Sequence, residues 1–300
     1  MPLKNQLHVS QLLSNVSVQY KNNNYIWDKV FPQVMVSKDT DQYRVYDRNF
    51  RIPETKRAPK AASNVFNFEV STSSYYLEQH ALKDYIGVDE ANEYDFGGLQ
   101  VDTTENLTDA IYRRIEKSVA DLFVKANWSL NVSLAAANAF SQNTTVSDPV
   151  PIFDTAATSI INNTGMTPNF GILPRAGFVS CKNHVSVLDR VKYTSSEVSE
   201  KMIAALFGIP EMYVPTAVYD SGAEGATSVV SALWGSIAFV GWKPNAPGKK
   251  VPSCGYTFMN SAPRVRTWFD DELNSNVVEV EVKYVPKVVA SLTGYLIGGT

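Results

Sequence analysis

The 300-residue chain is 44% hydrophobic and 19% charged, and its formal net charge is −3. This is an ordinary globular composition, and the lack of a strong basic excess disfavours a protein that wraps nucleic acid by neutralising phosphates. No apolar run approaches the roughly 18–20 residues of a membrane helix, and no secretory signal pattern opens the sequence. We therefore expect a soluble protein with no membrane association.

Residues 1–41 are predicted to form an N-terminal arm. The segment 25–37 carries Trp27, Phe31 and Val34, is interrupted by a proline, and shows no sustained helix or strand period. We expect this arm to be extended and to dock its apolar side chains on another molecule.

Residues 42–80 are predicted to form an open hairpin, because strand-like sequence precedes and follows the stretch ETKRAPKAASN. This stretch holds Lys56, Arg57 and Lys60, and it is the predicted tip. A basic tip is compatible with a phosphate contact, with a solvated loop, or with an arm that forms salt bridges. The residues alone leave these three readings open.

The segment 102–123 is the strongest predicted helix, and it could continue to residue 126. Asp102 and Glu105 have the spacing of a capping box at its start. Apolar residues recur every three or four positions, which predicts one buried stripe and one polar side. The stripe comprises Leu107, Ile111, Ile115, Val119 and Leu122, and the polar side comprises Asp109, Arg113, Glu116 and Lys117.

Residues 151–261 alternate predicted helices and strands, as in a layered α/β or α+β unit. We expect a helix at 152–165 that stops at Gly165, a strand at 170–180 interrupted by Pro174, and a helix that ends at Gly208.

The last forty residues are predicted to form a second long hairpin with one buried and one charged face. Asp270, Asp271 and Glu272 occupy its corner. A solvated turn is favoured there over a metal site, although carboxylates could hold a cation.

A search for chemistry is negative. The three histidines, His8, His80 and His184, are far apart, and no zinc-ligand or nucleophile-elbow spacing occurs. We expect no catalytic residue, cofactor or metal site, a structural role for His184, and two buried thiols at Cys181 and Cys254. What remains is an arm and two long hairpins whose strand edges favour pairing with other copies of the chain.

In the order of its parts the chain resembles the major capsid proteins of tailed bacteriophages, which have the Hong Kong 97-type fold. Residues 57–86 resemble that family's extended loop, and TTENLTDAIYRRIEKSVADLF resembles its spine helix. Residues 166–209 are similar to its axial domain, and residues 254–297 to the long strands that return to the peripheral domain. No single motif is diagnostic, but the ordered series is specific.

The resemblance implies an α+β capsid fold with an N-terminal arm at 1–41 and an extended loop at 42–80. The peripheral domain would span 81–150 and 262–300, and the axial domain 151–261. The implied function is a structural, non-enzymatic one: pentamers and hexamers that form an icosahedral virion shell, assembled in the host cytoplasm around double-stranded DNA without sequence-specific binding. Scaffolding, portal, decoration and minor capsid proteins are the implied partners.

We expect Lys56, Arg57 and Lys60 to lie across an adjacent subunit, against Asp270, Asp271 and Glu272 or against the polar side of the spine helix. An encapsulin-like compartment shell is the main alternative. An uncharacterised enzyme would require a converging set of titratable groups that the sequence does not show. The long amphipathic helix argues against an all-β tail-tube or adhesin protein.

Overall fold

The computed structural model describes residues 8–9, 25–45, 52, 54–58, 60, 62–65, 71–93, 98–133, 140, 148–192, 198–222 and 227–298. The described residues form an α+β protein in which one long helix and several shorter ones pack on two main sheets. The helices are α1 (Trp27–Val30), α2 (Val88–Glu93), α3 (Leu99–Ala120), α4 (Pro149–Thr164), α5 (Arg175–Lys182), α6 (Val185–Val191) and α7 (Glu200–Leu206).

The strands are mostly short, apart from two long antiparallel ones. They are β1 (His8–Val9), β2 (Gln33–Met35), β3 (Thr40–Val45), β4 (Ser71–Tyr76), β5 (Glu78–Gly87), β6 (Leu130–Val132), β7 (Phe170–Ile172), β8 (Glu211–Tyr213), β9 (Val218–Asp220), β10 (Val230–Ala232), β11 (Ala238–Gly241), β12 (Gly255–Met259), β13 (Arg264–Asp270), β14 (Ser275–Val288) and β15 (Gly294–Ile297).

The first main sheet is built on β14. Strand β5 pairs along one of its edges, from Ser275 opposite Gly87 to Tyr284 opposite Glu78. On the other edge β13 pairs with the first half of β14 and β12 with the second half, both antiparallel. Strands β1 and β2 extend the sheet beyond β13 and β12. The predicted C-terminal hairpin is therefore confirmed, and it lies in the middle of a larger sheet.

Helix α3 covers one face of this sheet. Ile111, Ile115 and Val119 of the predicted stripe are buried against the valines of β14, and the Ser118 hydroxyl lies 3.2 Å from that of Tyr284. The predicted start is wrong, because the helix begins three residues earlier. Gly98 adopts a left-handed conformation before it and occupies the N-cap position, so Asp102 and Glu105 lie inside the helix and neither is its N-cap.

The second main sheet has the strand order β6–β15–β11–β7–β8, and helices α4 to α7 pack around it. Gly165 ends α4 in a left-handed conformation, as predicted. The predicted strand at 170–180 is wrong after Ile172. Pro174 does not interrupt a strand; it precedes α5, where a residue without an N–H is tolerated because the first helical donors have no intrahelical partner.

The C-terminal part of the chain contributes strands to both sheets. Strands β12, β13 and β14 pair in the first sheet, whereas β11 and β15 pair in the second. Cys181 and Cys254 are buried free thiols, as predicted, and His184 caps α6 by accepting a hydrogen bond from the Ser186 amide. Within the described parts of the chain, no helix combines the length and hydropathy required to cross a bilayer.

The prediction that the apolar side chains of residues 25–37 dock on another molecule is wrong for those that are buried within this chain. Trp27, Val30 and Phe31 are buried in the chain's own core with α3, and β2 pairs in parallel with β12. Gly255 leaves no room for a Cβ because the Phe31 ring lies directly over it. The sequence of this segment lacks a regular hydrophobic period because its first part packs on α3 and its second part pairs with β12 at the edge of the first sheet.

Candidate assembly surfaces

The predicted basic tip is exposed, and hydrogen bonds within it hold its turn together. We call it the finger and define it as residues 54–58, 60 and 62–64. The Glu54 carboxylate accepts a 2.8 Å hydrogen bond from the Lys56 amide, and the Glu54 carbonyl accepts one of 2.7 Å from the Asn64 side chain. The Arg57 guanidinium lies 3.3 Å from the Ser63 hydroxyl. These contacts hold the turn together while Lys56, Arg57 and Lys60 remain exposed.

The finger leaves the body through the β3–β4 ribbon, whose base is well packed. Strand β3 pairs antiparallel with β4, from Thr40 opposite Tyr76 to Val45 opposite Ser71. The Tyr75 ring stacks on Phe258 at 4.6 Å, so an aromatic contact fixes the ribbon on the first sheet. Part of the strand predicted after the finger, residues 66–70, lies outside the described residues.

Two ion pairs anchor the same base. Asp39 accepts from the Lys283 ammonium at 2.6 Å, and Asp41 from the Lys249 ammonium at 2.7 Å. Hydrogen bonds from these lysines lower the pKa values of the Asp39 and Asp41 carboxyl groups. Both carboxylates face solvent, so the pairs orient the ribbon more than they stabilise the fold.

The acidic corner, residues 270–274, lies at the opposite end of β14 from the finger's base. Asp270 accepts a 3.0 Å hydrogen bond from the Glu272 amide, and Asn274 takes a left-handed conformation that turns the chain back. Asp271 and Glu272 are exposed. No ion pair joins the three finger cations to these three carboxylates within one copy of the described residues.

Glu116 was predicted to lie on the polar side of the long helix, but it is buried and joins three segments of the chain. Glu116 of α3 is wholly buried. Its oxygens accept hydrogen bonds from the Ile26 amide at 3.1 Å, from the Trp27 amide at 2.8 Å and from the Trp234 indole N–H. Glu116 therefore fastens the N-terminal segment and the β10–β11 connection to the long helix.

One feature of the sequence agrees with the burial of Glu116. Glu116 lies between Tyr112 and Ala120, one turn away on either side, so it borders the apolar stripe. A lone carboxylate beside a stripe is also common on exposed helices. Only the positions of the three N–H donors, which come from distant segments, identify it as buried.

Burial governs the titration of Glu116. Removal from water raises the pKa of its carboxyl group to about 7, more than the hydrogen bonds from Trp234, Ile26 and Trp27 lower it. A carboxyl group with a raised pKa in the folded state binds protons there that it releases in the unfolded state. Its contribution to stability is full below pH 4.5 and is lost as the pH rises through 7.

We expect the free energy of unfolding of the unassembled subunit to fall by about 3 kcal/mol between pH 4.5 and pH 8 from this group alone. The contribution is isolated by comparing the unaltered chain with Glu116→Gln, which cannot titrate, by chemical denaturation at several pH values. A difference between the two proteins that is constant with pH would contradict the raised pKa.

Among the residues that the structure describes, no group of three or more His, Cys, Asp or Glu side chains is arranged to hold a metal ion. The finger and the acidic corner are both exposed, so both can contact other molecules.

Comparisons with known proteins agree with this description. No family model matches the sequence. The chain is 26% identical to the major capsid protein of Burkholderia phage BcepMu over 301 residues. The alignment covers 97% of this chain and 96% of the relative. It is 25% identical to the major capsid protein of Pseudomonas phage JBD67, over 75% of this chain and 74% of the relative.

Solved structures give the same picture. A phage-related protein from Bordetella bronchiseptica RB50 has a TM-score of 0.79 at 26% identity, with 97% of each chain covered. The capsid of cyanophage P-SCSP1u has a TM-score of 0.63 at 12% identity, over 92% of this chain and 88% of that one. A virus-like particle from Pyrococcus furiosus has a TM-score of 0.58 at 10% identity, over 95% of each chain. The likenesses at 12% and 10% identity indicate a shared fold only.

Proposed function

We propose that this chain, a phage major capsid protein with the Hong Kong 97-type fold, forms pentamers and hexamers that close into an icosahedral shell around double-stranded DNA. The observation that carries the proposal is likeness over nearly the full length of a curated phage capsid protein. The role is structural. The protein is located in the virion capsid. We propose that the capsid is assembled in the host cytoplasm.

The surfaces support this function physically. The finger is exposed, and the β3–β4 ribbon that precedes and follows it is paired to the body by two ion pairs. Obligate interfaces often bury roughly 2,000–5,000 Å² or more, and projecting ribbons supply such area without a larger core. We propose that Lys56, Arg57 and Lys60 lie on an adjacent subunit, against Asp270, Asp271 and Glu272 or the polar side of α3.

The domain boundaries stay proposals of the same kind. We propose an N-terminal arm at 1–41, an extended loop at 42–80, a peripheral domain at 81–150 and 262–300, and an axial domain at 151–261. We further propose that scaffolding, portal, and decoration or minor capsid proteins bind the shell, and that DNA is enclosed without sequence-specific contacts, in keeping with a net charge of −3.

The experiment is negative-stain microscopy of the purified chain at rising protein concentration. Closed shells, or flat rings of five and six subunits, are expected. A strictly monomeric protein at all concentrations, or helical tubes, would count against the proposal. An encapsulin-like compartment is less supported, because the curated relatives are phage capsid proteins. Shells that purify with an enzyme cargo and never with DNA would favour that alternative.

A further inference from the structure

The first sheet is acidic at one end. Strand β5 reaches Gly87 opposite Ser275 of β14, so α2 and the acidic corner lie at the same edge. Segments 87–93 and 270–276 contain no Lys, Arg or His. The carboxylates gathered there are Asp89, Glu90, Glu93, Asp270, Asp271 and Glu272. Like charges on neighbouring segments repel one another in a single copy.

The other end of the same sheet carries a basic cavity of about 380 Å³, which we call the socket. It opens on the face of β13 and β14 that is turned away from α3, because its charged residues alternate with the buried valines Val265 and Val280. The polar and charged residues that line the socket include Gln79, Asn260, Arg264, Arg266, Glu281 and Lys283.

Three cations and one carboxylate line the socket, and Asp39 pairs with one of these cations from outside it, so one cation has no carboxylate partner. Both oxygens of the Glu281 carboxylate accept a hydrogen bond, one from the Arg266 guanidinium at 2.5 Å and the other from the Gln79 amide at 3.1 Å. Lys283 is paired with Asp39 at 2.6 Å. The Arg264 side chain forms neither a hydrogen bond nor an ion pair within the described part of the chain, and it is exposed at the cavity. Its guanidinium is free to bind an oxyanion with two parallel N–H donors.

The acidic end cannot fill the socket of its own copy. Gln79 and Val88 are nine residues apart along an extended strand, which corresponds to about 30 Å. Complementary charges at opposite ends of one rigid strand can meet only between molecules. A contact of this kind is head-to-tail, and head-to-tail contacts close into rings when the rotation between subunits allows it.

We propose that the socket of one copy binds a carboxylate of α2, from Asp89, Glu90 or Glu93, of a second copy. The contact rests on the proposed shell function and adds to it a second charged interface that does not involve the finger. Helix α2 is suited to this role because its three carboxylates are exposed, and none has a polar partner in the described residues. Arg264 supplies the counter-charge, while Glu281 holds Arg266 and is itself held by a hydrogen bond from Gln79.

The first test is charge reversal. We expect Arg264→Glu to lower the fraction of assembled subunits at least tenfold at low salt, measured by sedimentation and microscopy, with an unchanged circular dichroism spectrum. Lys287→Glu is the matched control, since it makes the same charge change on β14 outside the socket. Equal assembly of Arg264→Glu and Lys287→Glu would overturn the socket contact and leave the shell function standing. Failure of the unaltered chain to assemble would overturn both.

The second test identifies the partner. In shells of Arg264→Lys, carbodiimide should join the new amine to Asp89, Glu90 or Glu93 of another subunit, as read by mass spectrometry of the cross-linked peptides. A cross-link from position 264 to other carboxylates alone would overturn the assignment to α2. Normal shells of Arg264→Glu that retain less DNA would assign the socket to nucleic-acid phosphates, and would also overturn it.

Discussion

Replacement of Glu116 by leucine is expected to lower the free energy of unfolding by about 3 kcal/mol or more. The substitution leaves the Ile26 amide, the Trp27 amide and the Trp234 indole N–H without an acceptor. Each buried donor left unpaired costs about 1–3 kcal/mol, and the added apolar contact of leucine offsets part of this cost. Denaturant titration of the unassembled subunit measures the loss.

Two comparisons make this result interpretable. Glu116→Gln keeps one acceptor oxygen, so it should cost less than leucine. Glu105→Leu, which is on the same helix but only half-buried, should change stability by less than about 0.5 kcal/mol. If Glu116→Leu is no more destabilising than Glu105→Leu, then Glu116 does not fasten residues 26–27 to α3.

The second large effect concerns assembly and not folding. Changing Lys56, Arg57 and Lys60 together to alanine should abolish or severely impair shell formation, because the exposed finger loses all the cations with which it would contact a neighbour. A single exposed ion pair contributes only about 0–1 kcal/mol. The same contact is repeated at every subunit of a closed shell, so small losses combine. Circular dichroism should show an unchanged fold, and microscopy should show few or no shells.

The control for the finger removes the same charge elsewhere. Arg190, Lys201 and Lys250 are an arginine and two lysines that are exposed on other parts of the chain. Their replacement by alanine should leave assembly near normal. Normal shells from the finger variant would refute the finger contact. Equal loss in both variants would indicate that net charge, not the finger, controls assembly.

Local patterns in the sequence were sufficient for the elements that have a clear period. The stripe at Ile111, Ile115 and Val119 predicts a helix packed on one side, and alternation over 264–284 predicts the long hairpin; both are present. The resemblance to phage capsid proteins is also visible in the sequence, and the curated relatives agree with it. Helix ends were less predictable, since Gly98 and Pro174 set them through backbone geometry, and an apparent capping box at Asp102 is a weaker signal.

Tertiary structure alone decided where polar and aperiodic segments lie. Nothing local shows that residues 25–36 fold on their own chain, because their partners, α3 and β12, are distant in sequence. The same is true of Glu116, whose burial depends on donors from positions 26, 27 and 234, and of Arg264, whose neighbours Gln79, Asn260 and Lys283 meet only in the folded sheet. The periodicity of a sequence shows which side of a helix or strand faces apolar surroundings. It does not show which partner a charged group or hydrogen-bond donor has, because that partner comes from a remote segment that only the fold brings close.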